Sequence, residues 1–253
     1  MIGKGKSISH TGNAINYAVE KHKAELIDKH NLIGETGKEV EAEFKMCQNL
    51  NGRCENNTLS FVLSPSIDDG EKLNDANLLG IANEFLEKMN LSSHQAIILK
   101  HQDKKHKHLH IYVNRIGFDG KAYKDNHIGK ASQRVAHEVA KSKGLTCARD
   151  VEELNKENTK GIRKEIGQRM DQLIKDHKPR NFDDFKDLCK ASKIDLFPTI
   201  NKKTGQFQGY RVGFDQFNFK ASEIGKKFTL SNLEIAFKSV KTLRVNKGFS
   251  NGF

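Results

Sequence analysis

Histidines between residues 101 and 114 give the clearest chemical signal in this sequence, because they alternate with apolar residues. In a β-strand, successive side chains point to opposite faces of the sheet. One face of a strand over residues 108–114 therefore carries His108, His110, Tyr112 and Asn114. The other face carries Leu109, Ile111 and Val113. The pattern predicts a strand with one chemical face and one core face.

The segment before these histidines is predicted to bring a third imidazole to the same point. Residues 95–100 form a short apolar run that is typical of a buried central strand. The five residues after His101 are polar and can form a hairpin loop, which would place His101 beside His108 and His110. Three converging imidazoles without a fourth protein ligand indicate an open metal site, since the vacant positions are left for water or substrate.

Two residues of the predicted loop offer alternatives for this site. His106 has the strand parity of His108 and is a rival third ligand, but its place among lysines favours a solvated loop histidine. Asp103 is short and close to the turn, so we expect it to accept the second ring N–H of a metal-bound histidine and thereby orient that ring. The alternative interpretation of the whole pattern is that these are surface histidines that bind no metal.

Composition points to a polyanionic partner. The 253 residues carry a net charge of +11 and an isoelectric point near 9.4, which we take to be spread over the whole chain. No stretch approaches the roughly 20 apolar residues of a membrane-spanning helix, and the first residues lack the apolar segment of a secretory signal. The four cysteines form no C-x-x-C pair and are predicted to be reduced thiols of a cytoplasmic protein.

Tyr17 lies in the first turn of a predicted helix over residues 14–23, outside the apolar set of that helix. An ordinary amphipathic tyrosine is one interpretation. However, the chain has only four tyrosines, and the N-terminal end of a helix favours a bound phosphate through its N–H groups and its dipole. Lys4, Lys6 and Lys21 would add positive charge to the same region.

Strand and helix patterns alternate in a way that predicts an α+β fold with a mainly antiparallel central sheet flanked by helices. Residues 1–148 form the predicted main domain. Residues 149–253 form a predicted small C-terminal α/β subdomain with helices and a basic β-hairpin. Phe207 and Tyr210 on that hairpin could stack unpaired bases, although a role in the core of the subdomain is equally compatible with the pattern.

The combination of these motifs resembles the relaxase/mobilization nuclease family, the MobA/VirD2-like branch of the HUH endonucleases. The resemblance lies in Asn16 and Tyr17, the strand at residues 59–63, the helix at residues 77–89 and the His-rich motif from His101 to Asn-Arg-Ile at residues 114–116. It covers residues 1 to about 145 and implies the two-layer antiparallel core of those enzymes. Enzymes of that family start the conjugal transfer of plasmids and integrative elements, and the resemblance implies the same role for this chain.

The resemblance implies a role for each matched residue. Tyr17 matches the nucleophile, and His101, His108 and His110 match the metal ligands. Asp103 matches the Asp of the family's HxD turn and is expected to support catalysis as a carboxylate near the site, with Glu84 as an alternative proton acceptor. We expect DNA contacts from Lys4, Lys6, Asn114 and Arg115. The implied reaction is nicking of one DNA strand by transesterification, with a 5′-phosphotyrosine adduct that conserves the phosphodiester energy.

Cofactor and partners follow from the same resemblance. It implies activity with Mg or Mn, whereas three imidazoles suit Zn, Ni, Cu or Mn better, so Zn or Ni could occupy the site in a preparation. The implied partners are origin-of-transfer DNA that is single-stranded at the nick site, accessory mobilization proteins and a type IV coupling protein, all in the bacterial cytoplasm. A rolling-circle replication initiator with the same chemistry, or a non-catalytic protein that binds metal and DNA, are the alternatives.

Overall fold

The computed structural model describes residues 1–9, 12, 24–103 and 106–237, and for residues 102, 103 and 106 it describes the backbone alone. The chain divides into two compact units, Met1–Glu153 and Leu154–Phe253. The boundary lies inside a helix, five residues after the one we expected at residue 148. None of the helices in the described ranges combines the length and the apolar character that crossing a membrane requires.

The first unit is built on a five-stranded sheet. Its described strands are β1 (Ile2–Ile8), β2 (Ala24–His30), β3 (Thr58–Ser64), β4 (Ala96–Asp103) and β5 (His106–Asn114). Its described helices are α1 (Gly37–Gln48), α2 (Ile67–Lys72), α3 (Asp75–Lys88) and α4 (Ile128–Ser142), and α5 (Ala148–Asn158) continues past the boundary. The strand order is β1-β3-β5-β4-β2, and every neighbouring pair is antiparallel. The predicted α+β fold with an antiparallel centre is therefore confirmed.

The two faces of this sheet carry different layers. One face packs against α3 and α4 through fully buried residues, among them Leu109, Ile111 and Val113 of β5. On the opposite face, α1 covers one end of the sheet with Val40 and Phe44. The hydrophobic side of each helix supplies the core, since apolar surface removed from water stabilises the fold by about 25 cal/mol per Å². The other end of the second face carries the histidines.

Glycines at the edge strand bring α4 close to the sheet. A Cβ on Gly3 would lie 2.5 Å from both the Ala136 Cβ and the Ser132 carbonyl oxygen. A Cβ on Gly5 would lie 2.8 Å from Phe61 and from the Ser132 hydroxyl. The helix therefore needs hydrogen atoms at these two positions of β1. Because side chains alternate along a strand, the same packing turns Lys4 and Lys6 to the opposite face.

Side-chain capping fixes the start of α3, and a glycine allows the turn that follows β5. Helix α3 is capped by Asn74, whose side chain accepts the Asn77 N–H while the Asn77 side chain accepts the Asn74 N–H in a reciprocal capping box. The chain turns after Gly117, with Gly120 at φ +74° and its N–H donated to the Gly117 carbonyl. A positive φ is readily adopted by glycine, which has no Cβ.

The second unit has a three-stranded antiparallel sheet of its own. It contains α6 (Lys160–His177), α7 (Phe182–Ala191), β6 (Asp195–Ile200), β7 (Phe207–Phe214), β8 (Phe217–Lys220), α8 (Ala221–Ile224) and a 3₁₀ turn (Lys226–Phe228). The order is β6-β7-β8, and β6 and β7 form the predicted hairpin. One face of this sheet buries Leu196, Tyr210, Val212 and Phe219.

Charge is distributed unequally between the two units, which corrects the expectation that it is spread over the whole chain. Residues 1–153 contain 22 Lys and Arg against 21 Asp and Glu. Residues 154–253 contain 21 Lys and Arg against 11 Asp and Glu. The first unit is therefore nearly neutral, and the second carries almost all of the excess positive charge.

Candidate active site

Three histidines meet where β4 and β5 form their hairpin. His101 lies directly opposite His108 in the register of the two strands, and His110 lies two residues further along β5 on the same face. The predicted hairpin is tighter than expected, because the strands continue to Asp103 and resume at His106, so that only residues 104 and 105 separate them. Ladder hydrogen bonds up to the turn hold the backbone under all three imidazoles.

The three imidazole rings are close enough to share one ion. Their centroids lie 5.5 Å apart for His101 and His108, 4.5 Å for His101 and His110, and 5.0 Å for His108 and His110. One ligand nitrogen from each ring can be chosen so that all three lie within 4.8 Å of one another. His101 is buried, whereas His108 and His110 are half-buried. The cluster therefore has an inner ligand and two ligands that reach the surface.

The covered end of the same face holds the histidines in place. Tyr112 follows His110 on β5, is 8 % exposed and stacks on the His110 ring with centroids 6.2 Å apart. It packs with Val40 and Phe44 of α1. Helix α1 thus buries Tyr112, whereas the described core residues of this helix pack on Tyr112 and not on the histidines, so one strand supplies both a core residue and two candidate ligands.

A second group in the first unit also has a suitable set of donor atoms. His137 of α4, Cys147 and Asp150 of α5 place one donor atom each within 4.8 Å of the others. The Asp150 carboxylate is half exposed and lies 3.8 Å from the Lys141 ammonium, so part of its charge is already offset. The uniform set of three imidazoles on a rigid β-hairpin is the more suitable of the two for a bound ion.

Lys4 and Lys6 lie on the histidine face of the sheet. Lys4 is opposite Val62, which is opposite His110, so the three residues form one row across β1, β3 and β5. Lys6 lies in the next row with Ser60 and Tyr112. Neighbouring strands are about 4.8 Å apart, which puts the Lys4 backbone roughly 10 Å from that of His110. Both lysines are exposed, and their contact with DNA stays a prediction.

Asn114 and Arg115 make protein contacts. Asn114 is completely buried: its amide donates to the Phe44 carbonyl at 2.9 Å and to Gln95 Oε1 at 2.8 Å, and its Oδ1 accepts the Ile116 N–H. The geometry gives Asn114 a structural role instead of the predicted DNA contact, because its amide is enclosed by protein. The sequence analysis missed its partner Gln95, although a glutamine that precedes an apolar strand was the available signal.

Arg115 is enclosed in a similar way. Its guanidinium donates to the carbonyl oxygens of Tyr123 and Asn56 and forms an ion pair with Asp125 at 2.7 Å. Its side chain is only 16 % exposed. Ser7 of β1 also donates to Asp125, at 2.5 Å, so this cluster ties the edge strand to the loop before α4. A contact between Arg115 and DNA is still a prediction, and these bonds would limit it.

The remaining predicted catalytic residues lie partly outside the described structure. Tyr17 and its predicted helix lie outside the described residues. The Asp103 backbone pairs with His106 at the end of β4, but its side chain is not described. Ala24, the first described residue after Tyr17, lies directly opposite His101. The chain that carries Tyr17 therefore enters the sheet beside the histidine cluster.

Two further expectations are corrected by the structure. Glu84 lies on α3, on the opposite side of the sheet from the histidines, and accepts the Ser142 hydroxyl at 2.6 Å. This hydrogen bond and the nearby Lys143 lower the pKa of the Glu84 carboxyl, so it is not a base for this site. Tyr210 is buried in the core of the second unit, where its hydroxyl donates to the Phe228 carbonyl, so its ring is not available to stack on a base. Phe207 keeps 36 % exposure and packs edge-on against Phe182.

Comparison with known families identifies the first unit. The family model for the nuclease domain of MobA/VirD2-like relaxases matches residues 13–145, which is more than half of the chain. The match includes the three histidines, the strands that hold them and the helices behind the sheet. A comparison with curated proteins finds no match. The chain therefore belongs to the MobA/VirD2-like relaxase family and carries its nuclease domain.

Proposed function

We propose that this chain is a relaxase that nicks one strand of DNA at a transfer origin by metal-dependent transesterification. The observation that carries the proposal is the convergence of His101, His108 and His110 on one face of the sheet, within a chain that belongs to a relaxase family. Such a nick would begin the mobilization or conjugative transfer of a plasmid or integrative element in the bacterial cytoplasm.

The donor set fits a divalent ion. Three neutral imidazoles as ligands would leave the full positive charge of the ion uncompensated, and His108 and His110 are only half-buried by the residues that the structure describes. A bound ion would polarise a scissile phosphate and offset the charge that develops on its oxygens. Mn or Mg is proposed for use in the cell, whereas the nitrogen donors would also take up Zn or Ni.

Tyr17 is the proposed nucleophile. Its hydroxyl oxygen would form a bond to phosphorus, the bond from phosphorus to the 3′-oxygen would break, and a proton would pass to that oxygen to give a free 3′-hydroxyl. Six residues separate Tyr17 from Ala24, and the seven Cα-to-Cα steps between them can span up to about 25 Å, so Tyr17 can reach the cluster beside Ala24. The same step run in reverse rejoins the strand.

The other three tyrosines have poorer access to a phosphate at this site. Tyr123 donates its hydroxyl to the Met89 carbonyl at 2.9 Å, packs on the opposite face of the sheet, and has its pKa raised by burial. Tyr210 lies in the core of the second unit. Tyr112 is on the correct face but is 8 % exposed beneath α1. It is the alternative nucleophile that an experiment must test.

The remaining groups are proposed to position DNA and move the proton. Lys4 and Lys6 project from the same face as the histidines and would hold the phosphates of the bound strand. Asp103 would accept a ring N–H or the tyrosine proton. Accessory mobilization proteins and a type IV coupling protein are the expected partners. A rolling-circle replication initiator, which uses the same chemistry, is the second candidate.

The decisive experiment is cleavage of a labelled single-stranded oligonucleotide from the element's own transfer origin. The protein is incubated with Mn, with Mg or with EDTA, and the products are separated on a denaturing gel. We expect a metal-dependent covalent protein–DNA adduct that is lost completely in Tyr17→Phe, while binding of the oligonucleotide is retained. Tyr112→Phe is the matched control, because it removes one hydroxyl from the same face and should still form the adduct.

Three outcomes would count against the proposal. An adduct that persists in Tyr17→Phe and disappears in Tyr112→Phe would move the nucleophile to β5. Tight binding without an adduct at any metal would favour a protein that only binds metal and DNA. Cleavage at a replication origin but not at the transfer origin would favour the replication initiator.

A further inference from the structure

The outer face of the small sheet in the second unit carries an aromatic ring and two cations in one row. Phe197 of β6 lies opposite Arg211 of β7, and Arg211 lies opposite Lys220 of β8. Residues that face each other across antiparallel strands share one face of the sheet, with Cβ atoms about 5 Å apart. The adjacent row of Leu196, Val212 and Phe219 points to the opposite side and is buried. The sheet is therefore apolar on one side and basic on the other.

An edge of the Phe197 ring lies over a glycine. A Cβ on Gly213 would lie 2.7 Å from the Phe197 ring, so the ring occupies the space that a side chain would take. Gly213 is buried under this ring, yet Phe197 is still 48 % exposed. One edge of the ring thus rests against the sheet, and about half of the side chain stays exposed to solvent. An exposed, supported aromatic ring is the kind of surface on which an unpaired base stacks.

The two cations of the row are close to this ring, and one is held rigidly. The Arg211 guanidinium donates to Asn218 Oδ1 and to the Asn218 carbonyl oxygen, both at 2.6 Å. Lys220 is exposed at the end of β8. Beyond Lys220 the surface continues into a groove of about 390 Å³, which is lined by Thr199, Gly209, Arg211, Lys220, Ser222 and Thr229. A volume of this size accommodates a nucleotide.

Charge favours a polyanion on this face. The unit has ten more basic than acidic residues, 21 against 11. Lys202 and Lys203 lie in the loop that joins β6 to β7. The acidic side chain on the same strand face is Asp195, which lies one row away from Arg211, opposite Gly213. Glu223 also lies near Lys220, because its carboxylate accepts the Lys220 backbone N–H at 2.6 Å. The net positive charge of the whole unit, more than that of the row alone, therefore favours a polyanion here.

We infer that this face, defined by Phe197, Arg211, Lys220 and the adjoining groove, binds single-stranded DNA. One base stacks on Phe197, and the neighbouring phosphates contact Lys220 and Arg211. The choice of single-stranded DNA over other polyanions rests on the proposed relaxase function. The face replaces the predicted stacking surface around Tyr210, which lies on the buried side of the same sheet.

Binding of the full chain to fluorescein-labelled oligo(dT), measured by anisotropy, tests this inference. Oligo(dT) lacks an origin sequence, so specific recognition by the nuclease unit contributes little to the signal. Phe197→Ala should weaken binding by about 5- to 150-fold, and Phe197→Trp should keep or strengthen it. Lys220→Ala should reduce the slope of log K against log salt by about 0.7, the value for one phosphate contact on a single strand.

Matched controls separate stacking from general effects. Phe118→Ala removes a phenylalanine that is 58 % exposed in the nuclease unit and should leave the affinity unchanged. Lys190→Ala removes an exposed charge from α7 of the second unit and should change the salt slope by less than Lys220→Ala. A DNA duplex offers no unpaired base, so its affinity should be the same for Phe197→Ala and the native chain.

The results also distinguish this inference from the proposed function. Phe197→Ala should have the same unfolding temperature as the native chain, which shows that it is folded. If this folded variant binds oligo(dT) with the native affinity, the stacking role of Phe197 is overturned, whatever the adduct experiment shows. Equal losses for Lys220→Ala and Lys190→Ala would mean diffuse attraction and no defined site. Absence of the Tyr17 adduct together with a strong effect of Phe197→Ala would reject the relaxase and keep the DNA-binding face. Binding of an acidic protein and not of oligo(dT) would assign the face to another partner.

Discussion

The two sheets of this protein each have a face that the described residues cover only in part, and the parts they leave carry different chemistry. In the nuclease unit that part presents three imidazoles within a nearly neutral unit, with 22 basic and 21 acidic residues. In the second unit that part presents a phenylalanine at one end of a row that continues with two cations, within a unit of 21 basic and 11 acidic residues. One face can hold an ion and the other can hold a polyanion.

The difference suggests that affinity and chemistry are separable in this chain. Counterion release makes nonspecific binding to nucleic acid depend on the number of phosphate contacts, so a basic surface contributes affinity without sequence information. A metal site acts only on the phosphate that it touches. Variants of the histidine face should therefore change metal content and cleavage, whereas variants of the basic face should change the affinity for single-stranded DNA.

The largest effect is expected from the histidine cluster. His110→Ala removes one of three ligands that lie within 4.8 Å of one another. Cleavage of the origin oligonucleotide should fall by about 100-fold or more, since loss of a metal ligand removes several kcal/mol of charge stabilisation. Metal content measured by mass spectrometry should fall with it, while oligo(dT) affinity should change by less than about twofold.

His177→Ala is the control, because His177 is an exposed residue at the end of α6 in the second unit. It should leave both metal content and cleavage unchanged. Retained metal in His110→Ala would show that the ion is held elsewhere, and His137, Cys147 and Asp150 would be the next candidates.

Replacing a glycine by alanine should lower stability in the nuclease unit and DNA affinity in the second unit, each by an intermediate amount. In Gly3→Ala the new Cβ meets Ala136 and the Ser132 backbone at 2.5 Å, so the free energy of unfolding of the nuclease unit should fall by about 1–3 kcal/mol. In Gly213→Ala the new Cβ meets the Phe197 ring at 2.7 Å and should move it off the sheet. Denaturant unfolding should detect the first change, and an oligo(dT) affinity lowered by about threefold or more should detect the second.

Gly80→Ala is the matched control for both variants. Gly80 lies within α3, and its Cβ would make an ordinary contact, 3.9 Å from the Lys143 ammonium. The substitution should raise the free energy of unfolding by about 0.5–1 kcal/mol, because alanine is the better helix former. An unchanged oligo(dT) affinity in Gly213→Ala would contradict the contact between Phe197 and Gly213 as the basis for stacking.

The smallest expected effect concerns the hydrogen bond between Ser142 and Glu84 of the nuclease unit, which should make the free energy of unfolding depend on pH. The Ser142 hydroxyl is the main cause of the lowered pKa of Glu84. A lowered folded-state pKa contributes stability above the unfolded pKa, and that stability is lost as pH falls through the folded value. Ser142→Ala should therefore reduce the free energy of unfolding by about 0.5–1.5 kcal/mol at pH 7.

The difference between Ser142→Ala and the native chain should shrink as the pH falls below about 4, where Glu84 is protonated in the unfolded chain. Unfolding measured at several pH values checks this. Oligo(dT) affinity at pH 7 should be unaffected, because the pair lies on α3 and α4 of the nuclease unit. A difference that grows toward acid pH would contradict the assigned cause.

Much of the nuclease unit could be predicted from local patterns. The alternation of residues 108–114 predicted which side chains line each face, since strand periodicity is a property of the backbone itself. The polar residues after His101 predicted the hairpin, although its turn is shorter than expected. Strand periodicity placed Asn114 on the histidine face, but it did not reveal that the amide is completely buried, because that depends on Gln95 and on Phe44 of α1.

By itself, the sequence determined the antiparallel α+β fold, the histidine face of β5 and the nuclease family to which the chain belongs. Only the tertiary structure decided that Glu84 lies across the sheet from the histidines and that Tyr210 is buried. It also decided that Phe197 lies over Gly213 beside Arg211. The reason is physical: alternation tells which residues share a face of one strand, whereas burial and neighbours depend on strand register and on the layer that covers that face.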